Sequence, residues 1–209
     1  MSESVAPMTA ATAAVCLWVA GIALWAAALT PQFFPIWRGQ GDPLEIVAQH
    51  TTLWRVSVTL FLASAVATLL GCVLVFAPGR GPFWLSGVIL LGVATPLWVL
   101  NLAARLSIVP SVARDRTPET ETLLALVQSL TAVAWYVVAF LIAAAFAGFG
   151  ADTLTTGSLP AWAGWFCLGS TALSVTVLIA ARDAVPVIIY LPVVPLAIAA
   201  SIAAVRGNQ

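Results

Sequence analysis

The residues of this chain best suited to chemistry lie in one apolar stretch, ATPLWVLNLAARL, at positions 94–106. Asn101 and Arg105 are four residues apart, so on a helix their amide and guanidinium groups share one face. A guanidinium binds carboxylate or phosphate groups through paired hydrogen bonds. Two interpretations are open. The stretch is either the wall of a vestibule that binds a polar or anionic group, or a helix end pinned by its own hydrogen bonds.

Residue counts exclude most cofactor and metal chemistry. His50 is the only histidine, so one chain cannot hold haem between two histidines or build a multi-histidine metal site. All eight basic residues are arginines, which excludes lysine imines. Cys16, Cys72 and Cys167 match no ligand spacing and are expected to pack as small apolar residues. We find no catalytic motif and predict no metal and no cofactor. The net charge of zero gives no reason to expect nucleic acid as a partner.

The elements that carry these residues are predicted to be membrane-spanning helices. Of the 209 residues, 62% are hydrophobic and 8% charged, whereas soluble domains carry about 25% charged residues. We predict an all-α, polytopic transmembrane helix bundle that forms one domain over residues 1–209. The lysine-free composition is typical of GC-rich bacteria, so a multi-pass protein of the bacterial plasma membrane is expected. A spanning helix needs about 20 apolar residues, and six runs qualify: 9–29, 51–77, 83–104, 121–147, 161–180 and 185–205.

Short motifs between the apolar runs signal where helices begin and where the chain turns. In GDPLE, Asp42 is a predicted cap and Pro43 takes the first helical position, so a short interfacial helix is expected before the second span. In RTPETE, Thr117 and Pro118 have the same roles for the fourth span. The segment APGRGP, residues 77–82, predicts a tight turn. The second and third spans should therefore form an antiparallel hairpin.

Hairpin geometry predicts which residues lie at the same depth. Arg55 on the second span falls close to the level of Asn101 on the third, and Asn101 falls level with about position 124 on the fourth. Arg55, Asn101 and Arg105 are therefore predicted to form one polar layer just inside one interface, where arginine can extend toward water. Arg105 is expected to pair with Glu121, which would reduce the cost of burying its charge.

A polar and aromatic track continues from this layer toward the bilayer centre. Gln128 and Tyr136 follow on the fourth span at two-turn spacing, and Trp98 and Trp135 lie at similar depth. If a ligand binds, its polar end is expected at the arginine layer and its apolar part along the aromatic side chains. The candidate ligand-binding residues are Arg55, Trp98, Asn101, Arg105, Gln128, Trp135 and Tyr136.

Prolines interrupt two of the predicted spans. Pro96 lies inside the third span, and its missing N–H should bend the helix and free a carbonyl near residue 92, which the Thr95 hydroxyl can meet. Pro192 and Pro195 lie inside the sixth span. Broken helices at matching positions in two halves of a bundle are typical of secondary transporters.

Three functions are consistent with this pattern. The first is a membrane protein that binds a lipid or small hydrophobic molecule with a polar head near one interface, so membrane lipid is the expected partner. The second is an integral-membrane enzyme acting on an isoprenoid-like substrate, and the third is a small secondary transporter. Protonation-initiated cyclisation and proton-coupled transport both need an acid inside the membrane. No Asp or Glu falls within the core of a predicted span, so the sequence favours binding.

The order of parts resembles a bacterial family of six-span membrane proteins of unknown function. The resemblance lies in GDPLEIVAQHTTLWR before the second span, in the long third loop, and in GSLPAWAGWFCLGSTALSV at the start of the fifth span. It implies a six-helix membrane fold and carries over no catalytic residue. That family keeps its N-terminus inside, whereas the loop arginines here favour the opposite orientation. Five of them lie on one side and two on the other: Arg38, Arg105, Arg114, Arg116 and Arg182 against Arg80 and Arg206.

Overall fold

The computed structural model describes residues 5–31, 41–76, 81–181 and 186–206. Within these ranges the chain is helical apart from short connections, and it contains no strand. The helices of the described ranges, numbered in chain order, are α1 (Val5–Ala28), α2 (Pro43–Gln49), α3 (Thr51–Phe76), α4 (Trp84–Arg114), α5 (Pro118–Thr156), α6 (Ala161–Ala181), α7 (Pro186–Ile189) and α8 (Val193–Arg206).

Six segments of the described chain are long and apolar enough to cross a membrane. They are α1, α3, α4, α5, α6 and the last segment, which contains α7 and α8. The predicted all-α bundle of six spans is therefore confirmed, and the protein is a multi-pass membrane protein by the length and composition of its helices. The loop arginines Arg38, Arg80 and Arg182 lie outside the described residues, as does most of the turn at 77–82, so the orientation in the membrane stays a prediction.

The two predicted helix starts are confirmed. Pro43 opens α2, and Asp42 Oδ1 accepts a hydrogen bond from the N–H of Leu44 at 2.9 Å. Thr117 and Thr120 form a reciprocal capping box at the start of α5. The Thr117 N–H donates to Thr120 Oγ1 at 2.9 Å, and the Thr120 N–H donates to Thr117 Oγ1 at 3.3 Å. Both caps satisfy backbone groups that a helix start leaves unpaired.

The third span ends later than predicted, and the connection to the fourth span is much shorter. The segment 105–120, predicted as a long loop, is helical up to Arg114 and again from Pro118. α4 has 31 residues and α5 has 39, so at ~1.5 Å per residue both exceed the ~30 Å hydrocarbon layer. The hydropathy of α4 falls where its charged residues begin, but the helix continues, and Val112 in this part is 2% exposed and packs inward. The helices therefore continue past the apolar runs, to where a capping signal stops them.

The spans form a ring that follows chain order. α1 packs against α3, α3 against α4, α4 against α5, and α5 against α6. α8 packs against α1, and α7 contacts α6, α5 and α1, which closes the ring. α2 packs mainly against α4. Because α4 stands between α3 and α5, these two helices leave a cleft with α4 at its back.

Small residues on α3 allow α1 to approach it closely. A Cβ placed on Gly71 would lie 2.6 Å from Leu17 Cγ and 3.2 Å from the Leu17 backbone nitrogen. At the other end of the same interface, Ser57 Oγ donates to the Ala27 carbonyl at 3.1 Å. Close backbone approach of this kind is the main source of helix association in lipid, and it makes α1 and α3 a fixed side of the ring.

The two proline-containing spans are not alike, contrary to the prediction. α4 is continuous through Pro96, and Thr95 Oγ1 donates to the Leu91 carbonyl at 2.8 Å rather than to the carbonyl of residue 92. The last span is broken between Ile189 and Val193. Ser174 Oγ of α6 donates to the carbonyl of Ile188 at 3.1 Å, so a neighbouring helix satisfies a backbone group at the break. The matching interruption that favours a transporter is therefore absent from these two described spans.

Candidate functional site

A cavity of about 290 Å³ lies near the end of the bundle where α3 begins. α4 forms its back wall, Trp54 of α3 forms one side, and the first half of α5 forms the other. α2 covers it as a roof. The cavity is lined by Asp42, Pro43, Leu44, Val47, Trp54, Arg105, Val109, Leu124, Val127, Gln128 and Thr131.

Arg105 is held at this cavity by hydrogen bonds that join three helices. Its Nε donates to Asn101 Oδ1 at 3.0 Å, and Asn101 Nδ2 donates to the Thr131 carbonyl of α5 at 2.9 Å. Asn101 is 4% exposed. From α3, Trp54 Nε1 donates to the Arg105 carbonyl at 3.3 Å. The predicted contact between Asn101 and Arg105 is present, and it fixes the guanidinium against α4.

The predicted pair between Arg105 and Glu121 is wrong. Glu121 Oε1 accepts from Arg116 Nε at 2.6 Å. Asn101 is level with Thr131, about two turns along α5 from the predicted position 124. The positions of α4 and α5 that lie level with each other differ from the prediction, because both helices extend further toward the connection between them. Glu121 therefore lies too close to that connection to pair with Arg105. Gln128 instead shares the cavity wall with Arg105.

The Arg105 guanidinium has no carboxylate partner within the described ranges. Its one side-chain acceptor there is the neutral amide oxygen of Asn101, and Arg105 itself is half-buried. The other charged residue of the lining, Asp42, is already paired with Arg116. A half-buried charge without a counter-ion is costly in a membrane protein. The cavity therefore has a free positive charge among apolar walls.

Ion pairs hold the roof of the cavity in place. Arg116 lies between α4 and α5, and its guanidinium donates from Nη1 to Asp42 Oδ2 and from Nε to Glu121 Oε1. One side chain thus links the first end of α2 to the first turn of α5. The Arg116 hydrogen bond, with the Leu44 N–H, holds the pKa of Asp42 below its usual range. Hydrogen bonds to Glu121 and Asp42 raise the pKa of Arg116.

The other predicted ligand-binding residues lie outside the cavity. Arg55 is at the right depth but is exposed on α3, because Trp54 points inward and successive helical residues differ by ~100°. Trp98 and Trp135 pack against each other, with ring centroids 4.1 Å apart and ring planes tilted by 37°. They lie one turn deeper than the Asn101–Thr131 bond. Tyr136 is half-buried and packs against the hydrophobic core.

A buried carboxyl group lies at the opposite end of the bundle, beyond the predicted fourth span at 121–147. Asp152 is in the last turns of α5 and is 0% exposed. Its Oδ1 accepts from the N–H of Trp84 at 3.0 Å, and the N–H groups of Gly81 and Phe83 also interact with it. The predicted fourth span stopped at residue 147, whereas α5 runs on to Thr156, so Asp152 lies in its last turns and outside the core that was predicted to lack acids. Asp152 caps α4 from a neighbouring helix.

Sequence reasoning missed most of the roof and one wall of the cavity. Leu44 and Val47 were expected only as parts of an interfacial helix, and Trp54 was not singled out. Their partner Arg116 was counted as one of several loop charges. The available signal was the cap at Asp42, because a capped helix with apolar residues at Leu44 and Val47 must bury that face against something.

Comparisons with known proteins show no family for this chain. No protein-family model matches it, no curated protein matches it, and no solved structure matches it. The resemblance to a bacterial six-span family therefore stays a prediction, and the function rests on the geometry of the cavity.

Proposed function

We propose that this protein binds an anionic amphiphile, with a carboxylate or phosphate head at Arg105. The observation that carries the proposal is the guanidinium of Arg105, which lines the cavity and has no carboxylate partner among the described residues. A guanidinium with free donors inside a low-dielectric site recognises carboxylate and phosphate oxygens specifically. Gln128 lies on the same cavity wall, and its side-chain amide can donate further hydrogen bonds.

The walls suit the apolar part of such a molecule. Five lining residues are aliphatic, from three helices: Leu44, Val47, Val109, Leu124 and Val127. Gln128 is exposed on α5 although it lines the cavity, so the cleft between α3 and α5 opens toward lipid at this level. The volume of about 290 Å³ is close to the lower limit of ligand pockets. It suits a head group and a short part of a chain whose remainder extends into the bilayer.

The proposal assigns binding and no reaction. Among the described residues, Asp152 is the one fully buried carboxyl group, and it lies at the opposite end of α5 from the cavity. An isoprenoid cyclase or a proton-coupled transporter would need a carboxyl group that carries a proton next to its substrate. The carboxyl group that lines this cavity, Asp42, is paired with Arg116, which lowers its pKa. The enzyme and transporter alternatives therefore receive no support from this cavity.

The first prediction compares Arg105→Gln with Arg114→Gln by native mass spectrometry in mild detergent. Dodecanoate and dodecyl phosphate serve as anionic probes, and dodecanol is a neutral probe of equal chain length. Hydrogen bonds to a charged group contribute about 1.5–3 kcal/mol, so Arg105→Gln should lower the affinity for both anionic probes by about tenfold to a hundredfold. Its affinity for dodecanol should not change.

Arg114→Gln is the matched control, because Arg114 is exposed on the last turn of α4 and does not line the cavity. It should bind all three probes like the wild type. Melting temperatures without probe report any structural role of Arg105. If Arg105→Gln melts earlier but binds dodecyl phosphate as tightly as the wild type, the polar layer is structural and the proposed function is wrong.

A further inference from the structure

We propose that α2 is a hinged lid over the cavity, held closed by an ionic latch in which Arg116 bridges Asp42 and Glu121. This inference rests on the proposed function, because a lid over this cavity regulates access to a ligand site only if a ligand binds there. The lid concerns how the site opens, and the identity of the ligand does not affect it.

α2 has the form of a lid. It is a seven-residue helix, and one face of it closes the cavity with Leu44 and Val47. Val47 is 1% exposed, whereas Glu45, Ala48 and Gln49 on the other face are exposed. Because α2 is too short to be stable alone, its place depends on this buried face and on what holds its two ends.

The second end of α2 is a hinge. His50 separates α2 from α3, with φ −127° and ψ 38°, outside helical values. Its N–H still donates to the carbonyls of Ile46 and Val47 at 3.1 and 3.2 Å, so α2 ends there, and α3 begins at Thr51. Rotation about one non-helical residue would lift α2 as a unit without disturbing the α1–α3 packing.

The first end of α2 is the latch. Asp42 is the cap of α2, and its other carboxylate oxygen accepts from Arg116. Arg116 is fixed in turn by Glu121 on α5. The Asp42, Arg116 and Glu121 side chains are 33%, 49% and 49% exposed. Exposed ion pairs are weak and are screened by salt. A latch of this strength holds the lid closed and still allows it to open.

The latch does not respond to pH near neutrality. The hydrogen bond from Arg116 lowers the pKa of Asp42 below the usual Asp value of about 3.9. The ion pair is therefore fully present above that usual value, and it is lost only as the pH falls through the lowered pKa of Asp42 in the folded protein. Ionic strength is therefore the variable that should open the lid under mild conditions.

A thiol placed under the lid reports its opening without any ligand. The parent protein is Cys16→Ala with Val47→Cys, reconstituted in lipid nanodiscs and treated with a charged maleimide. Cys72 and Cys167 are 0% exposed, and the Cys16→Ala protein alone gives the background from them. When closing is faster than labelling, the labelling rate is proportional to the fraction of open lid.

Removing the latch should speed labelling at position 47. Arg116→Gln breaks the Asp42–Arg116 pair that holds α2, and loss of one exposed ion pair corresponds to a rate increase of roughly 1.5- to fivefold. Raising salt to about 1 M should speed labelling of the parent by a similar factor and have little effect on Arg116→Gln. Arg114→Gln removes a neighbouring exposed arginine that makes no ion pair among the described residues, and it should label like the parent.

The same assay separates failure of the lid from failure of the proposed function. Equal labelling rates in the parent and Arg116→Gln at all salt concentrations would overturn the lid, as would full-speed labelling of the parent at low salt. Dodecyl phosphate should slow labelling in Arg116→Gln if it binds beneath α2. If labelling responds to the latch but not to this probe, the lid stands and the proposed ligand is wrong.

Discussion

A single amide side chain connects the cation of the cavity to the neighbouring helix. Asn101 accepts from Arg105 with its oxygen and donates to the Thr131 carbonyl with its nitrogen. An amide is one of few groups that can do both at once. Asn101 thereby positions the guanidinium without neutralising it. A carboxylate in its place would satisfy Arg105 and remove the free positive charge on which the proposed ligand depends.

Substitution of Asn101 should therefore separate stability from binding. Asn101→Leu removes both hydrogen bonds, including the one that joins α4 to α5, which should cost about 1 kcal/mol, a typical value for hydrogen bonds between membrane helices. Asn101→Asp keeps an acceptor for Arg105 and gives it a counter-ion, so affinity for dodecyl phosphate should fall by about tenfold or more. Thermal melting and probe titration measure the two effects. An aspartate variant that binds the probe like the wild type would contradict the role given to the free charge.

At this scale the sequence predicted contacts within a helix better than contacts between helices. Asn101 and Arg105 meet because residues four apart on a helix are neighbours wherever the helix ends. The partner of Arg105 across the cavity depended on where α4 and α5 turn. No apolar pattern marks that point, since Arg114 and Glu119 lie within the continuing helices. Glu121 was expected there for that reason, and Gln128 lies there instead.

The start of α4 depends on a residue far away in the chain. Phe83 precedes the helix and provides no side-chain cap. Asp152 of α5 takes that role, with Oδ1 at 3.0 Å from the Trp84 nitrogen. Gly81 allows the approach, because a Cβ there would lie 2.2 Å from Asp152 Oδ1. The two longest helices of the described chain are thus joined at one end by this cap and at the other by the short Asp115–Thr117 connection.

The cap predicts different outcomes for two substitutions at position 152. Asp152→Ala removes the acceptor and should lower the free energy of unfolding by about 0.5–2 kcal/mol, the range for loss of a helix cap. Asp152→Asn keeps an acceptor oxygen and should melt closer to the wild type. Gly81→Ala should also destabilise, but less in the Asp152→Ala background, where the clash with Oδ1 is gone. Thermal melting of the four variants in one detergent tests this. Equal melting of the alanine and asparagine variants would mean that the capping bond contributes nothing.

The starts of α2 and α5, whose capping residues directly precede them in the sequence, were predicted. The cap that Asp152 provides for α4 was not predicted. Asp42 and Thr117 lie directly before the helices that they cap, so their motifs are visible in the sequence. Asp152 is 68 positions from the Trp84 N–H that it accepts from, and only the packing of α4 against α5 brings them together. The same packing explains why one carboxyl group is tolerated at the end of a span.

For the whole molecule, composition and run length were sufficient to predict six spans in an all-α bundle. The physical reason is that lipid requires every backbone group to be satisfied within a helix, so the length of an apolar run predicts a span. The ring order and the roof over the cavity were not accessible in this way. They depend on small-residue contacts such as Gly71 with Leu17, and on charges near the surface that hydropathy treats as loop.

Aromatic side chains in contact with one another lie at the centre of the ring and run from α3 through α5 to the break in the last span. Phe76 of α3 stacks on Phe149 of α5 at 4.7 Å, Phe149 contacts Phe146 edge to face at 6.4 Å, and Phe146 contacts Tyr190 in the same way at 6.4 Å. Tyr190 lies at the break between α7 and α8 and is 2% exposed. These ring contacts connect the break in the last span to the middle of the bundle.

Substitutions of Tyr190 test whether the aromatic centre of the bundle is held by apolar packing alone or contains a second polar site. Its hydroxyl is buried and has no hydrogen-bond partner among the described residues, and an unsatisfied buried hydroxyl destabilises by about 1–3 kcal/mol. Tyr190→Phe should therefore melt at the same temperature as the wild type or higher, and it should bind dodecyl phosphate unchanged. Tyr190→Leu loses the edge-to-face contact with Phe146 and should lose about 1 kcal/mol or more. Melting curves and probe titration of both variants decide the matter. A phenylalanine variant that melts clearly earlier than the wild type would mean that the hydroxyl bonds to a group that packing alone does not explain.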